Sequence, residues 1–205
     1  MRISLKIGLI ILLSNVSTAK ADYATFPRTR LSGQQTYFSG DTGKSFGESG
    51  AGYGFGLTVL GDGSYLVPFA SFSATTLAGS QTFLDGASKV TPKFSFYSAS
   101  TQLGLQLYPI QRRKKGFNVY VSALGSVGYN YISLNKSVAF TNIPNSDQAF
   151  SLGYAAAAGG EWIVSDDGAR RWGFFGEISL SKQSATLLKQ QFDLSGLTMA
   201  VGIGW

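Results

Sequence analysis

The 205-residue chain has no cysteine and no histidine, and only 14% of its residues are charged. Without cysteine there is no disulfide, no thiolate metal site and no lipid-modified cysteine. Without histidine the commonest general base and the commonest metal ligand are both missing. The charged fraction lies well below the roughly 25% of an average soluble domain. Long hydrophobic runs are also missing: after the first 21 residues no segment offers 18 continuous apolar positions, so no transmembrane helix is expected there. Glycine is abundant instead, at 26 residues, and aromatics make up 14%.

The first 21 residues read as a signal peptide. Arg2 and Lys6 form a positive start, residues 7–13 an apolar run, and Ala19 and Ala21 supply small residues at the −3 and −1 positions, placing cleavage before Asp22. The run is too short for a membrane anchor, which needs roughly 20 residues. Removing Arg2, Lys6 and Lys20 leaves 14 basic against 11 acidic residues, a net charge of about +3 rather than +6. Export and this weak charge argue against nucleic acid as a partner. Residues 22–205 are expected to form one domain.

That domain shows stretches of about ten residues with period-2 alternation, separated by Gly/Asn/Asp/Ser-rich breaks, as transmembrane strands do. The clearest span 117–133, 150–164, 172–182 and 192–205; those at 51–59 and 97–107 are noisier, and 28–38 and 65–75 are weaker. Within 117–133, Tyr120 and Leu124 break the alternation as apolar residues on the otherwise small and polar face. Pro68 costs a ladder hydrogen bond unless it sits at a bulge. Connections alternate: 61–64, 111–116 and 165–171 are short, whereas 39–49, 77–93, 134–148 and 183–191 are longer. Short periplasmic turns, long external loops and an even strand count describe an eight-stranded antiparallel up-and-down transmembrane β-barrel.

Alternation alone does not separate a membrane barrel from a soluble periplasmic sandwich or lipid-binding barrel, whose polarity is reversed. The small residues do. The non-apolar face is mostly Gly, Ala, Ser, Thr, Asn and Gln with few charges. A water-facing surface would be about a quarter to a third charged, whereas a narrow lumen needs small neutral groups. Tyr108, Phe117, Tyr129, Tyr131, Trp162, Trp172 and Trp205 gather toward strand ends, as girdle residues do.

The final segment Gly196-Leu-Thr-Met-Ala-Val-Gly-Ile-Gly-Trp205 resembles the C-terminal assembly signal of outer-membrane barrels, with alternating apolar residues and a terminal aromatic. Residues 153–162, followed by Phe174-Phe-Gly-Glu177, resemble the penultimate strand pair of small OmpA-like, OmpX-like and opacity-type barrels. The resemblance implies an integral protein of the Gram-negative outer membrane, inserted by the barrel-assembly machinery. It also implies a lipid-facing stripe of Leu197, Met199, Val201, Ile203 and Trp205 that the machinery reads.

Three groups of residues could carry function. Glu161 and Glu177 fall on the inward parity, and Arg30 shares it with Ser32, Gln34 and Thr36. A buried carboxylate needs a partner or it neutralises. The pair could form a gate or an acid pair, but a salt-bridge network that fills the lumen is the better reading. Arg112, Arg113, Lys114 and Lys115 form a basic periplasmic turn, joined by Arg170 and Arg171. It could bind anionic headgroups or peptidoglycan; a solvated turn anchoring the barrel at the interface is the simpler reading. Small barrels that act as deacylases, palmitoyltransferases, phospholipases or proteases rely as families on histidine, and serine without a base is a weak nucleophile. The glycines of 50–56 lack the Lys-Ser/Thr and the helix of a phosphate loop and read as small lumen-facing residues.

The expectation is therefore a non-enzymatic outer-membrane barrel without cofactor or metal, with a structural or surface-interaction role. Its partners would be outer-membrane lipid and an external ligand or host surface met by the loops. A narrow, porin-like conduit for small or hydrophobic molecules is the alternative, and a lipid A-modifying enzyme a more remote one.

Overall fold

A computed structural model describes residues 28–39, 50–80, 82–85, 88–135, 144–164 and 171–205. The expected signal peptide, its cleavage site and Arg170 lie outside the described residues.

The elements in chain order are β1 (Thr29–Phe38), β2 (Ala51–Leu60), β3 (Leu66–Ser80), β4 (Phe83–Asp85), β5 (Ser88–Val90), β6 (Lys93–Leu107), β7 (Gly116–Leu134), β8 (Ser146–Ile163), β9 (Gly173–Leu187), β10 (Gln190–Asp193) and β11 (Gly196–Gly204). Sequential antiparallel pairing runs from β1 through β2, β3, β6, β7, β8 and β9 to β11, and β11 pairs back onto β1. The sheet closes on itself. β10 and β11 share one register against β9, and the Leu194 N–H bonds the Gln183 carbonyl at 2.9 Å between them, so they are two parts of one strand. β4 and β5 form a separate small hairpin. The result is the expected all-β, eight-stranded antiparallel barrel.

The register fixes its shape. Cα partners lead from Thr29 to Val59, Ala70, Leu103, Gly125, Tyr154 and Lys182. Lys182 then faces Ser195, one position beyond the Ser181–Gly196 pair, and Ser195 faces Ser39 through the Ser39 N–H bond to its carbonyl. The circuit from Thr29 to Ser39 is a stagger of ten residues, and in a barrel of this size such a shear tilts the strands by about 40°.

Both termini of the barrel, the turns at 61–65 and 108–115, the end of β8 at Ile163 and the start of β9 at Gly173 lie at one end, called here the near end. Main-chain bonds link Arg28 and Thr29 to Trp205 there. The outward face carries exposed apolar residues on all eight strands, among them Leu31, Leu57, Phe72, Leu105, Val121, Leu152, Ile178 and Val201. Leu152 is 76% exposed and Val201 69%, which in water would be a continuous penalty and in lipid is none. Phe117 marks the near girdle on β7 and Tyr129 the far one. Twelve residue steps at a tilt of about 40° give roughly 30 Å along the axis, the thickness of a bilayer's hydrocarbon core.

Several strands run further at the far end than the sequence pattern indicates. β3 continues to Ser80, β6 starts at Lys93, β8 at Ser146, and β9 continues to Leu187, through stretches expected to be loops. The reason is a reversal of polarity. Beyond the far girdle the outward positions are Ser95, Ser133 and Ser146, and the inward ones are Phe94, Phe96, Ile132 and Leu134. This part stands clear of the lipid and follows the polarity of a soluble β-protein.

Candidate functional site

The lumen is arranged in three tiers, the outer two packed and the middle one enclosing a cavity. In the near tier, Arg30 on β1 and Glu161 on β8 are both almost fully buried, and Arg30 Nη2 donates to Glu161 Oε2 at 2.6 Å. Arg112, from the turn after β6, reaches in beside them. Its Nε donates to Glu161 Oε1 and its Nη2 to Oε2 at 2.8 Å, a two-point contact. The Tyr108 hydroxyl at 3.3 Å and Asn118 Nδ2 at 3.4 Å also donate to Glu161. Arg30 additionally donates to Gln106, Tyr120 and Tyr108, and its guanidinium lies 4.9 Å from the Tyr120 ring centre and 5.0 Å from that of Phe175. A carboxylate between two guanidiniums, with its remaining lone pairs occupied, is a satisfied buried charge rather than an exposed reactive one.

Asn118 explains how Arg112 comes to be inside. Its Oδ1 accepts from the Arg113 N–H at 2.6 Å and its Nδ2 donates to the Arg113 carbonyl at 3.0 Å. The Arg112 N–H bonds the Ser64 carbonyl at 2.8 Å, joining two near-end turns. The turn is thus folded inward over the barrel mouth. Arg113, Lys114 and Lys115 remain exposed, as a solvated basic turn requires, but Arg112 does not belong with them. Charge composition could not separate the four; only the bend imposed by Asn118 does. Glycine at 159 is a packing requirement of the same tier, because a Cβ there would stand 2.6 Å from the Tyr120 ring and hydroxyl.

Glu177 sits one tier up. No ion pair joins it directly to Arg30 among the described residues, and its side chain is half-buried. It borders a polar cavity of about 110 Å³ lined by Ser, Thr and Gln side chains, including Gln34, Thr36 and Thr198. Thr36 and Thr198 are hydrogen-bonded at 2.9 Å. The far tier is apolar: Leu77, Phe94, Phe96, Ile132, Leu187, Leu188, Phe192 and Leu194 form one buried cluster. The sequence pattern does not show this tier, nor Gln106 in the near one; Tyr108, expected in the girdle, is instead buried in the near tier beside Tyr120. The signal of the near-end packing was the break in alternation at Tyr120 and Leu124, since an apolar residue on the lumen parity marks a packed interior.

The C-terminal stripe lies on the outer wall. Met199, Val201, Ile203 and Trp205 are exposed, and Leu197 is half-buried on the same side. No group of three or more potential metal-ligating Asp or Glu residues occurs among the described residues.

A closed eight-stranded barrel with an apolar wall of membrane thickness, aromatic girdles and a plugged lumen defines a class: the small outer-membrane β-barrels. No protein-family profile matches the chain, and no characterised protein matches it in sequence. Its fold is similar to the outer membrane protein OprG from Pseudomonas aeruginosa, at 13% identity and a TM-score of 0.57, over 88% of this chain and 97% of that one. Ail, the attachment invasion locus protein of Yersinia pestis, aligns at 15% identity and a TM-score of 0.44, over 87% of this chain and 97% of Ail.

Proposed function

We propose that the protein is a non-conducting, non-enzymatic barrel of the outer membrane, with its near end in the periplasm and its far-end loops as the working surface. Outer-membrane lipid and the barrel-assembly machinery are its partners in this reading, together with an external ligand or host surface at the loops. One observation carries the reading: the lumen is occupied at both ends. The Arg30–Glu161–Arg112 cluster fills the near mouth, and the Phe94–Phe96–Ile132–Leu187 cluster fills the far one. An ion crossing would have to break a buried cluster of hydrogen-bonded ion pairs and then pass an apolar layer. Glu161 supports a structural role as well, because two arginines engage its carboxylate.

A conduit for small molecules is the second reading, favoured by the 110 Å³ polar cavity between the two tiers. Single-channel recording of the refolded barrel in planar bilayers distinguishes them. No resolved conductance steps are expected from the wild type. Stable steps would overturn the first reading in favour of the second. Recordings of a variant with the near tier dismantled, Arg112→Ser with Arg30→Ser, show whether that tier blocks the path.

A further inference from the structure

The barrel's outer wall is not evenly convex. Between β2 and β7, on the far half of the lipid-facing band, lies a groove of about 370 Å³. Its origin is in the register. Ala74 on β3 lies opposite Phe55 on β2 and opposite Ala99 on β6, and Ala99 lies opposite Tyr129 on β7. This rung therefore runs aromatic, small, small, aromatic. The next rung toward the far end places Thr76 beside Tyr53 and Tyr97. At the Ala74–Ala99 rung two strands without bulk between rings on either side leave a trough roughly 10 Å wide, and at the next rung it narrows to β3, between Tyr53 and Tyr97.

The groove has a closed end and an open one. Toward the barrel's middle the next outward residue on β3 is Phe72, whose ring lies 6.3 Å from that of Phe55. Toward the far end it opens on the polar outward positions Ser95 and Ser133. The hydroxyls near that opening already have polar partners: Gln35 Nε2 donates to Tyr53 Oη at 3.3 Å, and Tyr129 donates to Gln148. They mark the level at which hydrocarbon gives way to headgroups.

We propose that this groove is a lipid site, holding one acyl chain of a membrane lipid from the far-end leaflet, with its headgroup at the tyrosine level. The occupant follows from continuity and polarity. The groove is part of a wall that contacts hydrocarbon everywhere else, and it is apolar at depth and polar only at its mouth. An amphiphile with its chain inward matches both ends. Ordinary hydrophobic transfer does not drive this binding, because bulk lipid is equally apolar. Preference comes from the dispersion contacts that a preformed concave surface makes along a chain and a convex wall does not. The volume falls within the usual range for small-molecule sites. The site rests on the membrane fold and is independent of the role proposed for the loops.

Native mass spectrometry of the detergent-folded barrel, titrated with dimyristoyl phosphatidylcholine, tests it. A zwitterionic lipid keeps the basic turn from contributing. The wild type is expected to retain one lipid per barrel at low lipid excess. Ala74→Trp combined with Ala99→Trp should weaken that binding by at least roughly tenfold. Ala123→Trp, lipid-facing on β7 but outside the groove, should leave it unchanged. Heat-modifiable gel migration reports folding, and if the double variant does not fold, Ala99→Leu alone is read in the same way. A wild type that retains no lipid, or equal retention by wild type and groove variants, overturns the proposal. A dimer lost on filling the groove also overturns it, in favour of a second copy as occupant.

Discussion

Glu161 is the residue on which the near tier turns. Among the described residues it is the acidic partner in the ion pairs of both Arg30 and Arg112, so both arginines depend on one carboxylate. Replacing Glu161 with Gln leaves two buried guanidiniums facing a neutral amide, and about 3–5 kcal/mol of stability should be lost. Arg112→Met leaves the Arg30–Glu161 pair standing and should cost clearly less. Urea titration of the detergent-folded protein gives both values, and equal losses would show that the two arginines are not sharing the carboxylate. Gly159→Ala tests the packing beside them. Its new methyl group would stand 2.6 Å from the Tyr120 ring, whose hydroxyl accepts from Arg30, and the cost should be about 1–3 kcal/mol in the same titration. Glu161, Glu177 and Arg30 were visible from parity alone. Arg112 was visible only as one of four adjacent basic residues, because no local pattern says which member of a charged run will be pulled inward.

Two elements invite direct tests. The β9–β10 connection is a two-residue hairpin turn in which Leu188 and Lys189 both have positive φ, 51° and 63°. Such turns normally take Asn or Gly, since a Cβ is disfavoured there. Leu188 accepts the strain because its side chain is buried in the far tier and its N–H bonds the Asp147 carboxylate at 2.6 Å. Lys189 has no such burial in that tier. Lys189→Gly should therefore raise stability by about 1 kcal/mol, whereas Leu188→Gly should lower it, and thermal melts of the folded barrel separate the two. β11 tests the inside-outside assignment. Arg at Val201, near the middle of the lipid-facing stripe, should cost roughly 2–4 kcal/mol, but at Trp205, at the near interface, only about 0–1. Thr198 faces the cavity instead and is hydrogen-bonded to Thr36. If Arg at Val201 is tolerated in unfolding titrations, the outer wall does not face lipid. The strands inside the bilayer were legible because lipid on one side and a crowded lumen on the other impose a strict period of two. The far-end extensions were not, because the polarity reverses there and a reversed pattern reads as the end of a strand.

At the scale of the whole molecule, closure is the dominant fact. The stagger of ten residues brings β11 back onto β1 and leaves no free edge in the barrel. Unfolding such a barrel cannot begin by peeling a strand, so the unheated protein should migrate faster on denaturing gels than the boiled one. Identical mobility before and after boiling would contradict a closed barrel. The three tiers follow from the same geometry. Eight strands enclose a space that side chains can nearly fill, and here they fill it with charge near the termini, hydroxyls in the middle and hydrocarbon at the far mouth.

The linear chain by itself determined the class of fold. Lack of charge, period-two alternation, small residues on one face and aromatics near strand ends are local properties, and each is imposed by a bilayer around a narrow barrel. It also determined which face each residue of a clear strand would take, and so the inward placement of Arg30, Glu161 and Glu177. Only the tertiary structure decided which of these groups meet. That depends on shear, which is set by the pairing of all eight strands at once, and on the bend at Asn118 that delivers Arg112 to Glu161. The far tier and the outer groove were decided in the same way, because each is made by residues of several strands brought level by register and by no segment alone.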